Sequence, residues 1–221
     1  GAAEPAHCRH CRHGCVCHRR IANAAERDAV IKLFLIRHGP THAKGMVGWT
    51  DLAADLSDTA ALTRLEAALP KKALVISSDL RRAVTTADAI QAERTRLPHD
   101  PALREMNFGD WEMKVFSEVE AEDPARLRAF YETPGDISPP NGDSWNALCT
   151  RTNAAIDRLI AQNRAENLIV VAHFGVILSQ VQRAFGWTAY ETFAHRVDNL
   201  SITDMKVTDG LWTGGQISHL P

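Results

Sequence analysis

The sequence predicts an α/β protein, in which helices cover both faces of a mainly parallel sheet to form a three-layer α/β/α sandwich. Two observations predict this class. Short apolar, β-branched segments alternate along the chain with segments of helical periodicity, and two of the apolar segments end at a histidine. Because the carboxyl ends of parallel strands face one crevice, the same fold class predicts where the chemistry lies.

The strands and helices follow from local patterns. Buried strands are expected over residues 31–36, 73–76 and 168–172. Amphipathic helices are expected to run to about residues 69, 93, 162 and 185. Their first turns are marked by Ser57 or Asp58, by Asp79, by Asp143 or Ser144, and by Gly175. Late strands are predicted near residues 200–203 and 211–212, with a turn at residues 209–210 between them.

Residues 109–141 interrupt this alternation of strands and helices. They contain four prolines, Pro124, Pro134, Pro139 and Pro140. We therefore expect an insert, at about residues 109–145, that forms a lid or cap over the site.

The N-terminal 27 residues differ from the rest in composition. They hold four of the five cysteines and four of the ten histidines of the chain, and almost no large apolar side chains. Three interpretations remain open: Cys8, Cys11, Cys15 and Cys17 bind a structural zinc ion, they form two disulfides, or the segment is an arm without a site. Residues 28–221 are expected to form the catalytic domain.

Composition limits the classes of function. The chain of 221 residues is 45% hydrophobic and 24% charged, with a formal charge of −2, which is typical of globular proteins. This charge argues against a broad nucleic-acid-binding surface. No apolar run approaches the ~18 residues of a membrane span, and no secretory signal is present, so we expect a cytoplasmic protein that binds neither membrane nor nucleic acid.

A set of cationic and acidic residues lies at the ends of predicted elements, whereas nucleotide-binding and metalloprotease motifs are missing. The set comprises Arg37, His38, Arg81, Arg82, Glu105 and His173. Each residue alone has an ordinary explanation, as a strand end, a solvated helix face, a core histidine or a surface charge. Together, at the carboxyl edge of one sheet, they predict a phosphate site.

Such a cluster can perform phosphoryl transfer. Two guanidinium groups and a protonatable histidine match the oxygens of a dianionic phosphoryl group. A second histidine can act as nucleophile, and Glu105 can protonate the leaving alkoxide and then activate water. Because the arginines neutralise the charge, no cofactor is expected for catalysis.

Five segments resemble one family, the histidine phosphatase superfamily (branch 1), which has the phosphoglycerate-mutase-like fold. The segments are residues 33–41, 77–87, 103–112, 141–144 and 170–176. The resemblance spans about residues 31–207. It implies that His38 is the phosphohistidine nucleophile, that Glu105 is the general acid and base, and that Arg37, Arg82 and His173 form the phosphate pocket. Arg82 matches the family's arginine because it directly precedes Ala83.

Within the superfamily, residues 105–113 and 195–198 resemble the α-ribazole phosphatases of cobalamin synthesis. The resemblance implies a small phosphate ester as substrate, and α-ribazole 5'-phosphate is the first candidate. A broad-specificity sugar or nucleotide phosphatase and a phosphoglycerate mutase are alternatives, although the insert is compact for a mutase. The alternative from another class is a catalytically idle phosphate-binding or interaction module with a metal-binding arm. Such a module has no chemical need for an acid and base at Glu105.

Several positions depart from the family pattern. Pro40, Lys44, Ala60 and Asp143 stand where the family usually has Glu, Asn, Gly and Glu. Further candidate substrate contacts are Lys44, Ser144 and Phe174. A homodimer is the one protein assembly that we include among the expectations.

Overall fold

The computed structural model describes residues 30–163 and 165–221. Its strands are β1 (Ile31–Arg37), β2 (Leu74–Ser77), β3 (Thr95–Arg96), β4 (Asn167–Ala172), β5 (Ile202–Thr208) and β6 (Leu211–Gly214). Its helices are α1 (Thr59–Ala68), α2 (Arg81–Ile90), α3 (Phe116–Glu122), α4 (Pro124–Glu132), α5 (Trp145–Gln162), α6 (Phe174–Phe185) and α7 (Ala189–Phe193). The predicted α/β class is confirmed.

The sheet has the strand order β3-β2-β4-β1-β5-β6. Strands β1 to β4 are parallel, whereas β5 runs antiparallel to β1 and β6 antiparallel to β5. The register pairs Arg37 with Ala172 and Ser77 with Val171. The residues that follow β1, β2 and β4 therefore emerge side by side at one edge of the sheet.

Two hydrophobic clusters lie on opposite faces of the sheet. Side chains alternate along a strand, so Leu33 and Leu35 of β1 join one cluster and Ile36 joins the other. The first cluster includes buried residues of α5, α6 and the insert, and the second those of α1 and α2. Burial on both faces explains why the strands are nearly continuous apolar runs.

Two of the predicted helix starts are confirmed and one is wrong. Asp58 caps α1 by accepting a bond of 2.9 Å from the Ala61 N–H, and Ser144 caps α5. Asp79 does not cap α2, whose N-cap is Leu80. The Asp79 carboxylate instead pairs with the Arg104 guanidinium through bonds of 2.7 and 2.6 Å, and this stronger bidentate partner replaces the helix N–H groups.

The insert is helical and is part of the main core. Helices α3 and α4 lie in it, and Val119, Leu127 and Phe130 are buried in the same cluster as β1 and β4. The Trp111 and Phe130 rings meet edge to face, 5.5 Å apart. Glu112, near the start of the insert, contacts a loop beside the site, described below.

The N-terminal arm, with Cys8, Cys11, Cys15 and Cys17, lies outside the described residues, so zinc binding there stays a prediction. No helix within residues 30–163 and 165–221 is both long and apolar enough to cross a membrane.

A buried arginine joins the ends of two helices. Arg94 is only 4% exposed, and its guanidinium forms an ion pair of 3.0 Å with the Glu66 carboxylate. It also donates to five backbone carbonyls at or just after the C-terminal ends of α1 and α2, those of Glu66, Leu69, Pro70, Ile90 and Gln91. The Glu66 carbonyl also accepts from the Leu69 N–H, at 3.2 Å. Carbonyls at helix ends in general lack intrahelical donors, so the Arg94 guanidinium supplies hydrogen bonds to acceptors that burial removes from water.

We expect the substitution Arg94→Met to destabilise the protein by about 3 kcal/mol, because it leaves buried carbonyls and a carboxylate without their donor. The free energy of unfolding in urea measures this loss. Arg64→Met is the control, because its guanidinium is exposed and, within residues 30–163 and 165–221, makes one hydrogen bond, to the Pro221 carbonyl. Equal stability of the two variants would contradict the assigned role of Arg94.

Candidate active site

His38 follows β1 and points one ring nitrogen into the site. Its Nδ1 lies 2.7 Å from the Gly39 carbonyl oxygen. Since a carbonyl oxygen only accepts, Nδ1 carries the ring proton and Nε2 keeps its lone pair. The side-chain amide of Asn199 donates to the His38 carbonyl at 2.7 Å and fixes the backbone there. The residue is 7% exposed.

Arg82 lies directly against this lone pair. Its Nε donates to His38 Nε2 at 3.2 Å, and the residue is 1% exposed. Its Nη1 and Nη2 donate to the carbonyls of Thr50 and Gly48, at 2.9 and 2.6 Å. Arg81 contacts Asp51 instead, so the structure places the two adjacent arginines in different surroundings.

Arg37 and His173 complete the cationic side of the site. His173 is fully buried, its ring lies 5.0 Å from the His38 ring, and its Nε2 is 2.7 Å from Ser78 Oγ. Among the described residues, neither His173 Nδ1 nor Arg37 Nε has a hydrogen-bond partner, although both atoms are buried. Buried polar nitrogens without partners indicate a place for a ligand with acceptor oxygens.

Glu105 is buried beside these residues. Its Oε1 accepts from the Met106 N–H at 2.9 Å, and both carboxyl oxygens lie 3.1 Å from the Gly175 nitrogen. A Cβ on Gly175 would stand 2.6 Å from Oε1, so a glycine is needed for this approach. Burial raises the pKa of the Glu105 carboxyl, while the two N–H groups and the charges of Arg82 and Arg37 oppose that rise.

Both histidines are held in the neutral state. Burial, and then the charge of Arg82, lowers the pKa of His38 to about 3. Burial, followed by the neighbouring His38 and Arg82, lowers the pKa of His173 well below its usual value. The sequence analysis predicts a protonatable histidine in the pocket, whereas the lowered pKa of His173 favours the neutral form, first because the ring is buried and then because positive charge lies nearby.

The remaining candidates lie around this centre. Phe174 begins α6, and the Arg37 guanidinium lies 5.4 Å from its ring centroid. Lys44 is exposed, and the Ser144 hydroxyl is used by the cap of α5. Substrate contacts for these three residues stay a prediction. The Asp143 carboxylate binds the Asn107 N–H and Arg151, each at 3.1 Å, so it supports the segment that carries Glu105.

The sequence analysis did not assign separate roles to four residues that support the site. Ser78 contacts His173, Thr86 Oγ1 accepts from the Gly39 N–H at 3.0 Å, and Asn199 holds the His38 carbonyl. Glu112 holds the loop that binds Arg82. Ser78 lies two residues after a predicted strand, which is a local signal, whereas the contacts of the other three residues depend on tertiary structure.

The chain is similar in sequence and fold to several known proteins. Residues 33–217 match the family model described as histidine phosphatase superfamily (branch 1). The chain is 33% identical to the adenosylcobalamin/alpha-ribazole phosphatase of Escherichia coli strain K12 over 175 residues, which cover 76% of this chain and 86% of that protein. It is 30% identical to phosphoglycerate mutase-like protein 4 of Arabidopsis thaliana over 205 residues, 86% of each chain. The crystal structure of the alpha-ribazole phosphatase from Shigella flexneri aligns with a TM-score of 0.73 at 26% identity, covering 86% of this chain and 96% of that one.

Proposed function

Because this chain belongs to the histidine phosphatase superfamily (branch 1) and is a phosphatase, we propose that it hydrolyses a small phosphate monoester through a phosphohistidine on His38. The observation that carries the proposal is the single lone pair of His38 Nε2, which faces Arg82 in a pocket with Arg37, His173 and Glu105.

The first step transfers the phosphoryl group to His38. The Nε2 lone pair forms a bond to phosphorus, while the phosphorus–oxygen bond of the ester breaks and its electron pair leaves on the alkoxide oxygen. Protonated Glu105 gives its proton to that oxygen. Arg82 and Arg37 bind the phosphoryl oxygens, and His173 Nδ1, which is buried without a partner among the described residues, donates to one of them.

The second step returns the enzyme to its starting state. The Glu105 carboxylate takes a proton from water, whose oxygen forms a bond to phosphorus as the nitrogen–phosphorus bond breaks. Inorganic phosphate leaves, and His38 is neutral again. The low pKa of His38 keeps its lone pair available for the next cycle even in mildly acidic solution.

For the substrate, we propose α-ribazole 5'-phosphate ahead of a broader range of sugar or nucleotide phosphates. The support is the 33% identity to the adenosylcobalamin/alpha-ribazole phosphatase of Escherichia coli, together with the 26% identity to the Shigella flexneri structure. The second candidate is a phosphoglycerate mutase activity, favoured by the likeness to the mutase-like protein 4 of Arabidopsis thaliana.

The test is phosphate release from a panel of substrates, with and without EDTA. The panel contains α-ribazole 5'-phosphate, sugar phosphates, nucleoside monophosphates and p-nitrophenyl phosphate. The highest kcat/KM with α-ribazole 5'-phosphate, unchanged by EDTA, supports the proposal. Equal values across the panel replace the proposed substrate with a broad specificity, and isomerisation of phosphoglycerate without release of phosphate replaces it with the mutase. A loss of activity in EDTA contradicts catalysis without a metal cofactor.

The pH profile of kcat/KM is expected to fall at alkaline pH, because Glu105 must be protonated to serve as the acid. Burial raises the pKa of this carboxyl, so it stays protonated to a higher pH than an exposed glutamate and loses its proton as the pH rises through the raised value. Rates with a slow alkyl phosphate measure this limb. In a Glu105→Gln variant the alkaline limb should disappear, and its persistence would assign it to another group.

A further inference from the structure

A half-buried carboxylate outside the catalytic cluster collects an unusual number of hydrogen bonds. Glu112 lies at the start of the insert and accepts five bonds of 2.6 to 3.2 Å. Four come from three consecutive residues of one loop and one from the residue just before the insert: the N–H groups of Gly48, Trp49, Thr50 and Phe108, and the hydroxyl of Thr50. We name residues 48–50 the anchor loop.

The anchor loop holds the arginine that faces the nucleophile. Its Gly48 and Thr50 carbonyls accept from the two terminal nitrogens of Arg82, at 2.6 and 2.9 Å. The N–H groups of the same two residues donate to Glu112. Glu112 thus holds three consecutive N–H groups of the anchor loop. The Gly48 and Thr50 carbonyls of the same loop determine the position of the Arg82 guanidinium.

The loop also contacts the residue that handles the proton. The indole Nε1 of Trp49 donates to the Glu105 carbonyl at 2.8 Å, and the Trp49 N–H donates to Glu112 at 2.7 Å. A displacement of the anchor loop would therefore move both Arg82 and the backbone of Glu105.

The close fit leaves little room for another arrangement. A Cβ on Gly48 would overlap the Met106 carbonyl and the Glu112 carboxylate. All five partners of the carboxylate are donors, so an amide in its place would direct its own N–H₂ at N–H groups. Burial raises the pKa of Glu112, but the bonds from Thr50, Trp49, Phe108 and Gly48 outweigh it and lower the pKa, so the group is ionised at neutral pH.

We propose that Glu112 is a positioning residue for phosphoryl transfer, and that it acts through the anchor loop on Arg82 and Glu105. The proposal rests on the proposed function, since it assigns Arg82 to the phosphoryl group. It makes the first residues of the insert part of the active-site support, in addition to their place in the hydrophobic core.

The test combines kinetics with a double-mutant cycle. With p-nitrophenyl phosphate as substrate, Glu112→Gln is expected to lower kcat/KM by about 10- to 100-fold, as a displacement of about 1 Å in a catalytic group does. Thr50→Val removes only the hydroxyl bond and should give a smaller loss in the same direction. The matched control is Glu118→Gln in the same insert, because in the part of the chain that the structure describes that exposed carboxylate binds only the Val115 N–H, so the change should leave kcat/KM unchanged.

The cycle separates positioning from a loss of folded protein. If Glu112 acts through Arg82, the effect of Glu112→Gln on kcat/KM shrinks strongly in an Arg82→Ala background. Urea unfolding gives the folded fraction of each variant, to which the rates are normalised. The proposal is overturned if the normalised rate of Glu112→Gln equals that of wild type. It is also overturned if the separate effects of Glu112→Gln and Arg82→Ala on kcat/KM simply multiply in the double variant.

Calorimetric binding of inorganic phosphate tests the positioning role of Glu112 independently of the proposed phosphatase reaction. If the wild type releases no phosphate from any substrate, the proposed function fails. In that case weaker phosphate binding by Glu112→Gln than by Glu118→Gln still supports the positioning role, and equal binding overturns it.

Discussion

Replacing His38 by alanine is expected to abolish phosphate release, with a fall in kcat of at least about 10⁴-fold. The variant lacks the Nε2 lone pair that faces Arg82, and neither of the neighbouring groups can take its place. His173 Nε2 is occupied by Ser78, and both carboxyl oxygens of Glu105 face the Gly175 N–H. Stopped reactions with p-nitrophenyl phosphate, analysed by intact-protein mass without acid, should show a phosphoryl adduct on wild type and none on the variant.

His42→Ala is the matched control for this experiment. His42 is also an imidazole close to the end of β1, but it is exposed and hydrogen-bonds the Asp55 carboxylate at 2.8 Å. We expect its adduct and its turnover to resemble those of wild type. Turnover by His38→Ala, or an adduct that survives in it, would contradict the phosphohistidine and direct attention to another nucleophile.

The sequence predicts the centre of this site because its residues follow buried strands. Strands β1 and β4 are short apolar runs, and the parallel pairing of Arg37 with Ala172 brings His38 and His173 to one edge. The neutral state of His173 was not predictable in the same way. Its low pKa comes from complete burial and from positive charges on other elements, neither of which a local pattern shows.

The insert shows why local signals can mislead. Its prolines indicate a break in regular structure, yet Pro124 stands in the first turn of α4, where its missing N–H costs nothing. Asp123 directly before it caps the helix by binding the Arg126 N–H at 3.1 Å. The role of Glu112 was out of reach for a different reason, since its partners in the anchor loop lie more than 60 residues earlier in the chain.

Strand β3 and the end of α2 were also difficult to predict. β3 has two residues and exists through its pairing with β2, so it leaves no periodic pattern of its own. Helix α2 ends at Ile90, before the predicted residue 93, where the Arg94 guanidinium binds the Ile90 carbonyl at 2.9 Å. The existence of β3 and the last residue of α2 therefore both depend on contacts with other elements, which local sequence patterns do not show.

Replacing Glu105 by glutamine is expected to separate the two halves of the reaction. With an alkyl phosphate, kcat/KM should fall by about 10²- to 10⁴-fold, because the alkoxide then leaves without a proton. With p-nitrophenyl phosphate, the leaving phenolate is stable without a proton, so phosphorylation of His38 should remain fast. Hydrolysis of the phosphohistidine is slowed with both substrates, because the amide cannot take a proton from water.

A rapid-mixing experiment with p-nitrophenyl phosphate measures this difference. Glu105→Gln should give a burst of nitrophenol equivalent to the enzyme present, followed by slow turnover, and the phosphoryl adduct should accumulate in the mass spectrum. The two leaving groups serve as each other's control, because a general loss of binding or of folded protein would slow both substrates equally. Equal losses of kcat/KM with both substrates and no burst would contradict the role of Glu105 in proton transfer and leave it with a structural role in the pocket. A burst would tie proton transfer to the carboxyl that Gly175 and Met106 hold beside Arg82.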